Sequence, residues 1–294
     1  MLIAPTMVLL AAIADPRIAP LLERVSEEAH VFAQRSSRFI GVETLTQRGR
    51  IAPPRFRLRK GANAAETPAL AYRTTKLVSE YGFSVLKEAQ GELREVRSVV
   101  SVNGRAVKDR RQARLELAEG MTGDMDRVNK QMLLDLEAYG LVGAATDLGQ
   151  MLMLFNRAKL PEFEFTMLPD TVLENEPVAV LGYRQNAGGA ASVYHGREVA
   201  RVPMSGEIWI QRGTGQPVRI TAEMPLKEGK YAVIHRIAVD YALSPQGVLL
   251  PSRSSYSRQQ DSLLLVETQA TYTDFKMFSA EAEIKFLAEG DKEQ

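Results

Sequence analysis

The chain holds no cysteine, one tryptophan and three histidines in 294 residues. The missing cysteine excludes disulfides, thiolate nucleophiles, iron–sulfur clusters and cysteine-ligated zinc together. It also excludes the lipid-modified cysteine of a lipoprotein anchor. Neither sign of charge is in excess, with 37 basic residues against 36 acidic ones. That balance sets up no long-range field to hold DNA or an anionic membrane, so nucleic acid is not an expected partner. No run reaches the roughly 20 apolar residues that cross a bilayer, so a transmembrane protein is not expected either.

Reaction motifs are equally scarce. G-x-S-x-G, H-E-x-x-H and EF-hand loops do not occur. Ser84 and Lys87 spell S-x-x-K, but the accompanying S-D-N and K-T-G elements are missing and the serine falls in a strand pattern. Glu27 and His30 give E-x-x-H on one helix face, without the second copy that a di-iron bundle needs. The paired acids Asp124 and Asp126 suit a helix N-terminus, where the dipole favours them. No catalytic residue, metal ligand or cofactor is therefore expected.

What is present begins with an apolar leader. "MLIAPTMVLLAAIADP" is uncharged through Ala14 and closes on Ala12-Ile13-Ala14, an h-region followed by an A-x-A cleavage pattern, though no basic residue opens it. Residues 1–14 are expected to be removed near Ala14, leaving a periplasmic or secreted protein. A single domain is expected over 15–287, with a helical segment at 122–158 and a polar tail at 288–294.

Asp15-Pro16 suits a helix opening, and Ile18, Leu21, Leu22, Val25, Ala29 and Phe32 recur at steps of three and four. This predicts an amphipathic helix to about Arg35. The period then shortens to two. "RFIGVETLTQRG", "LAYRTTKLVSEYGFSVLK" and "ELREVRSVVSVNGRAV" read as strands, the last with Val96, Val100 and Val102 on one face and Arg97, Val99 and Ser101 on the other. Asn103-Gly104 suits a type I′ hairpin. A helical stripe of Met125, Val128, Met132, Leu136 and Tyr139 stops at Gly140, and a second helix is expected near Thr146–Arg157 around "MLMLF". After Pro161 the chain reads as an antiparallel meander, with strict alternation in "PVRITAEM". Ala52–Pro68 and Asn186–Pro203 read as long loops.

Gly213-Thr214-Gly215 leads into Pro217 and a strand rather than a helix, so it is a hairpin turn and not a phosphate loop. Two basic runs remain. "RFRLRK" puts Arg55, Arg57 and Arg59 on one strand face, and "RAVKDRRQAR" adds Arg110 and Arg111. They are candidate contacts for an anionic partner, weighed against a solvated strand face or an edge guarded by charge. Six of the eleven methionines lie between Met121 and Met167, where flexible thioethers can fill a core or line an adaptable apolar pocket.

The strand–turn–strand "GEIWIQRGTGQPVRIT" and the closing "ATYTDFK" resemble segments of the LolA/LolB-like lipoprotein-carrier fold, over roughly Met204 to Phe278. The hairpin from Val102 to Arg110 is similar to one in uncharacterised exported bacterial proteins. The resemblance implies an α+β fold: a curved antiparallel half-barrel with helices covering its concave face. It further implies a non-catalytic carrier of a lipid, lipoprotein or other apolar envelope ligand, held by Met125, Met132, Leu136, Met151, Phe155, Trp209 and Tyr272. Possible partners are a lipid, a lipidated protein or an envelope protein. Two alternatives stand beside it: a periplasmic interaction or envelope-stress sensor domain, and a hydrolase whose His195 or His235 meets its partners only in three dimensions.

Overall fold

The computed structural model describes residues 15–51, 70–85, 93–122, 125–143, 146–186, 191–195 and 198–278. The alternating segments form β1 (Phe39–Arg50), β2 (Tyr72–Val85), β3 (Leu93–Val102) and β4 (Arg105–Ala106), then β5 (Phe163–Leu173) and β6 (Glu176–Gln185). β7 (Ala191–His195) and β8 (Glu198–Val202) make a separate hairpin, followed by β9 (Ser205–Gln211), β10 (Pro217–Glu228), β11 (Tyr231–Leu243), β12 (Leu249–Gln260) and β13 (Leu263–Met277). Eleven of them join one antiparallel sheet in the order β4-β3-β2-β1-β13-β12-β11-β10-β9-β6-β5. β4 and β5 remain free ends, so the sheet curves without closing, the expected α+β half-barrel.

Alternation decides which side chains enter the concave face. Ile208 and Ile210 of β9 pair with Leu181 and Ala179 of β6, and Ile208 with Ile220 of β10, all buried. Helix α1 (Ile18–Arg35) covers that face through the stripe Val25, Ala29 and Phe32, each fully buried. It lies over a 3-10 turn, Met151–Phe155, which supplies Met151, Leu152 and Phe155 to the same core. The Gly213–Gly215 turn docks on this helix: Gly215 has φ +73°, and Gln216 Nε2 donates to the buried Glu28 at 3.1 Å.

The structure departs from the sequence reading in four places. "RAVKDRRQAR" leaves the sheet after Ala106 and becomes α2 (Arg110–Thr122), which lays Leu117 against Ile40 and Val96 on the outer face. The helix expected at Thr146–Arg157 is only the 3-10 turn. Asp147 adopts φ +63°, and the following amides bond to side chains of the sheet instead of to carbonyls four residues back. The loop at Asn186–Pro203 contains the β7–β8 hairpin. A bulge in β3 puts Ser79 opposite Val99 and Val78 opposite Ser101, which brings Val102 onto the Val99 side. α3 (Met125–Ala138) ends where expected, at Gly140 with φ +94°.

Candidate functional site

The concave face has two chemically different halves. Across β6, β9 and β10 it is apolar. Across β1, β2, β3, β12 and β13 it carries buried polar groups, among them Glu43, Gln47, Ser79, Glu95, Ser254 and Thr268. Strand parity causes this, because Glu43, Leu45 and Gln47 alternate on β1 as Glu95, Arg97 and Val99 do on β3. Buried polar side chains need partners, and much of the partnership here comes from the irregular segment that lies over them.

That segment, residues 140–143 and 146–155, is suspended from the strands. Arg73 Nη2 donates to the Gly140 carbonyl at 2.6 Å, and Gln47 Oε1 accepts the Val142 amide at 2.7 Å. Glu95 takes two amides, Gly149 at Oε1 (2.6 Å) and Asp147 at Oε2 (2.7 Å). Its own amide donates to Asp147 Oδ1 at 2.9 Å, and Arg94 pairs with Asp147 Oδ2 at 3.0 Å. The Tyr241 hydroxyl accepts the Leu152 amide at 3.0 Å and donates to the Gly149 carbonyl at 3.1 Å. A buried segment without regular structure must place its backbone groups somewhere, and here they go to side chains of four strands.

Beneath the segment sits a buried charge triad. Arg97 bridges Glu43 at 2.7 Å and Glu95 at 2.6 Å, with all three side chains no more than 3% exposed. Tyr81 donates to Glu95 Oε1 at 2.7 Å, and its ring stacks on Tyr272 at 4.7 Å between centroids. Burial alone would raise the Glu95 pKa. The charge of Arg97 and the bonds from Tyr81, Arg97 and Gly149 outweigh that and hold it below the usual carboxylate value. Asp147 goes the other way, raised by burial and by the negative charge of Glu95. Burial likewise pushes Tyr81, Tyr272 and Tyr241 upward, so they act as neutral donors. Two triad atoms, Glu43 Oε1 and Arg97 Nη1, are buried without a hydrogen-bond partner among the described residues.

The residues singled out from the sequence fall into four groups. Met132, Leu136, Met151, Phe155 and Tyr272 meet in one core on the concave face, where each is at most 7% exposed and the chain itself fills the space. Trp209 is not with them. It lies between Ile208 and Ile210 in sequence, so the pleat turns it to the outer face, where its Nε1 donates to Glu207 at 2.7 Å and Arg219 stacks on its ring. The side chain of Met125, and Arg55, Arg57 and Arg59, lie outside the described residues and side chains. Arg110 and Arg111 are exposed on α2, and the Arg110 Nε lies 3.8 Å from Glu80 Oε1.

Glu95, Arg97, Glu43 and Gln47 were missed as a group. The available signal was opposite charges two residues apart in "ELREVRSVV", a spacing that puts both on one strand face beside Val99. Other candidates resolve locally. The His235 ring Nδ1 is 2.9 Å from the Tyr256 hydroxyl, and Ser84 Oγ donates to the Met121 carbonyl at 2.9 Å. Among the described residues no group of three or more acids and histidines is placed to hold a metal ion, and no helix is long and apolar enough to cross a membrane.

Among the described residues, the outer face carries a larger and a smaller cavity. The larger, about 890 Å³, is a trough across β5 to β12 with a floor of small residues such as Thr166, Gly182, Thr221 and Ala238. One wall carries the ion pairs Glu164–Arg184 and Glu223–Arg236. The smaller, about 390 Å³, lies between α2 and the paired ends of β1 and β13.

No family model and no curated protein matches the chain. Among solved structures, it is similar to a DUF1329 family protein from Desulfovibrio piger, with TM-score 0.34 and 10% identity over 88% of this chain and 92% of that one. It is also similar to a putative outer membrane lipoprotein-sorting protein domain from Vibrio parahaemolyticus, with TM-score 0.33 and 11% identity over 90% and 97% of the two chains. A LolA superfamily protein from Nitrosomonas europaea is similar at TM-score 0.32 and 10% identity, over 88% of this chain and 94% of that one.

Proposed function

We propose that the chain is an exported, non-catalytic binding protein for an apolar envelope ligand, a lipid or the acyl chains of a lipidated protein. The ligand enters the concave face when residues 146–155 lift away. The observation that carries this reading is how the segment is held. Its backbone hangs from Gln47, Arg73, Glu95 and Tyr241 by hydrogen bonds that water can replace on opening. Its apolar side chains, Met151, Leu152 and Phe155, occupy the place that acyl methylenes would take.

The opposition of halves suits an amphiphile. Buried methylenes would contribute ~0.8 kcal/mol each against the apolar strands. A polar end would reach the triad, where Glu43 Oε1 and Arg97 Nη1 lack partners. The buried methionines Met132, Met151, Met204 and Met224 can repack around chains of different length.

Native mass spectrometry of protein exported and purified gently from the envelope fraction tests this. A discrete added mass that organic solvent removes supports the reading, and its fragments identify the ligand class. A bare mass that persists after incubation with envelope lipids rules it out.

A further inference from the structure

On the opposite side of the sheet from the proposed ligand, α2 and the ends of β1 and β13 enclose the cavity of about 390 Å³. Arg110, Arg114 and Lys276 line it together with Glu80 and Asp274. Glu80 is the inner wall, 2% exposed, on the outward-facing side of β2. Its Oε2 accepts Arg114 Nε at 3.3 Å, while the Arg110 Nε stands 3.8 Å from Oε1, too far for a hydrogen bond. Oε1 is thus a buried acceptor with no hydrogen-bond donor among the described residues.

The cavity is built by two local features. A bulge at Asp274, with φ +55°, sets Lys276 opposite Ile40 and Thr273 opposite Val42, which leaves Lys276 on the cavity side. Gly41 permits this, because a Cβ there would lie 2.8 Å from the Phe275 ring. Arg110 and Arg114 are four apart on α2, one above the other on a single face.

We infer that this cavity binds a phosphate group that carries a proton: inorganic hydrogen phosphate or the headgroup of a phosphomonoester. The three cations outnumber the two carboxylates in the lining, and Glu80 orients two guanidiniums with most of their donors uncommitted to it. The unsatisfied Glu80 Oε1 supplies the selectivity. It accepts the P–O–H of hydrogen phosphate, or of a monoester in the monoanionic form that its second pKa of about 6 leaves available, whereas it repels a phosphodiester or a sulfate, which carry no such proton anywhere near neutral pH. This site is independent of the ligand proposed for the concave face.

Calorimetric titration of the full chain at pH 7.5 with inorganic phosphate and with sulfate is the test. Phosphate should bind at least about tenfold more tightly than sulfate, the difference made by one charged hydrogen bond. Glu80→Gln, which can donate as well as accept, should erase that preference, and Arg114→Ala should weaken phosphate about tenfold. Should Glu80→Gln fail to fold, the exposed Arg110→Ala keeps the test open: it should weaken phosphate and sulfate alike and leave the preference for phosphate in place. Co-sedimentation with vesicles then separates the sources. Capture by phosphatidic acid but not phosphatidylglycerol assigns a lipid monoester, and inert vesicles with phosphate binding in solution assign a soluble one. Equal affinity for sulfate and phosphate, or no binding of either, overturns the proposal.

Discussion

Glu95 Oε1 accepts the backbone amide of Gly149 at 2.6 Å, fastening an irregular covering segment to the third strand of the sheet. The same carboxylate takes the Asp147 amide and the Arg97 guanidinium on its other oxygen, and the Tyr81 hydroxyl on the first. Closure of the concave face therefore depends heavily on one side chain.

Glu95→Gln retains the shape and removes the charge. The variant should lose about 3 kcal/mol of stability, because a buried Arg97 then has only Glu43 as its counter-charge. Urea unfolding measures the loss. Hydrogen exchange should quicken at Asp147 and Gly149 more than at β9 or β10 amides. Uniform quickening would mean that Glu95 supports the whole sheet rather than the cover.

The pH dependence follows from the two opposed shifts. Glu95 has a folded pKa below its ordinary value of 4.5, so its contribution is complete above about that pH and is lost as the pH falls through the lower folded value. Asp147 has a folded pKa above its ordinary value of 3.8. The folded state takes up that proton first, so acidification through the raised value adds stability until the unfolded group also protonates. Thermal midpoints should show wild type gaining on Asp147→Asn as the pH drops from 7 towards 4. The gap between wild type and Glu95→Gln should be widest at pH 7 and close only below about 4.5. A gap independent of pH would refute the charge assignment.

Gly149→Ala should pry the cover loose. A Cβ there would stand 2.6 Å from the Tyr81 hydroxyl and 2.8 Å from Glu95 Oε1. The expected cost is roughly 1–3 kcal/mol. If the cover gates the concave face, this variant should take up a fluorescent fatty acid faster than wild type. Gly182→Ala is the control, since its Cβ would meet only the Leu168 side chain, at 3.2 Å on the outer face. Equal uptake rates in both variants would remove the gating role from residues 146–155.

Phe155→Ala tests the packing of the cover. The ring lies 4.9 Å from Tyr183 and 5.4 Å from Phe163 between centroids, and it is fully buried. Its removal should cost roughly 3–5 kcal/mol. The vacated volume should raise the affinity for acyl chains even as the urea midpoint falls, and a fall in both would assign Phe155 to structure alone.

Much of the architecture was legible because it is local. The 3.6-residue stripe from Ile18 to Phe32, the period-two alternation in "PVRITAEM" and the Asn103-Gly104 turn, with φ +50° and +80°, follow from neighbouring residues. "MLMLF" was not legible in this way. Its helix propensity lost to partners far along the chain, since Glu95 and Tyr241 take the amides that a helix would use internally. The basic run Arg105–Arg114 read as a charged strand face or edge because the burial of Leu117, which fixes Arg110–Thr122 as a helix, depends on Ile40 and Val96, distant in sequence.

The chain by itself thus determined the first helix, the antiparallel class and the absence of thiol chemistry, since each rests on composition or short-range period. Tertiary structure decided the rest. Trp209 faces outward because its register with β6 and β10 assigns it the side opposite Ile208. The triad of Glu43, Glu95 and Arg97 exists only because β1 and β3 flank β2 with matching parity. Pairing register and strand order are long-range properties. A shift of one residue in either strand would turn its charges to the opposite face and take Gln47 or Glu95 away from the cover.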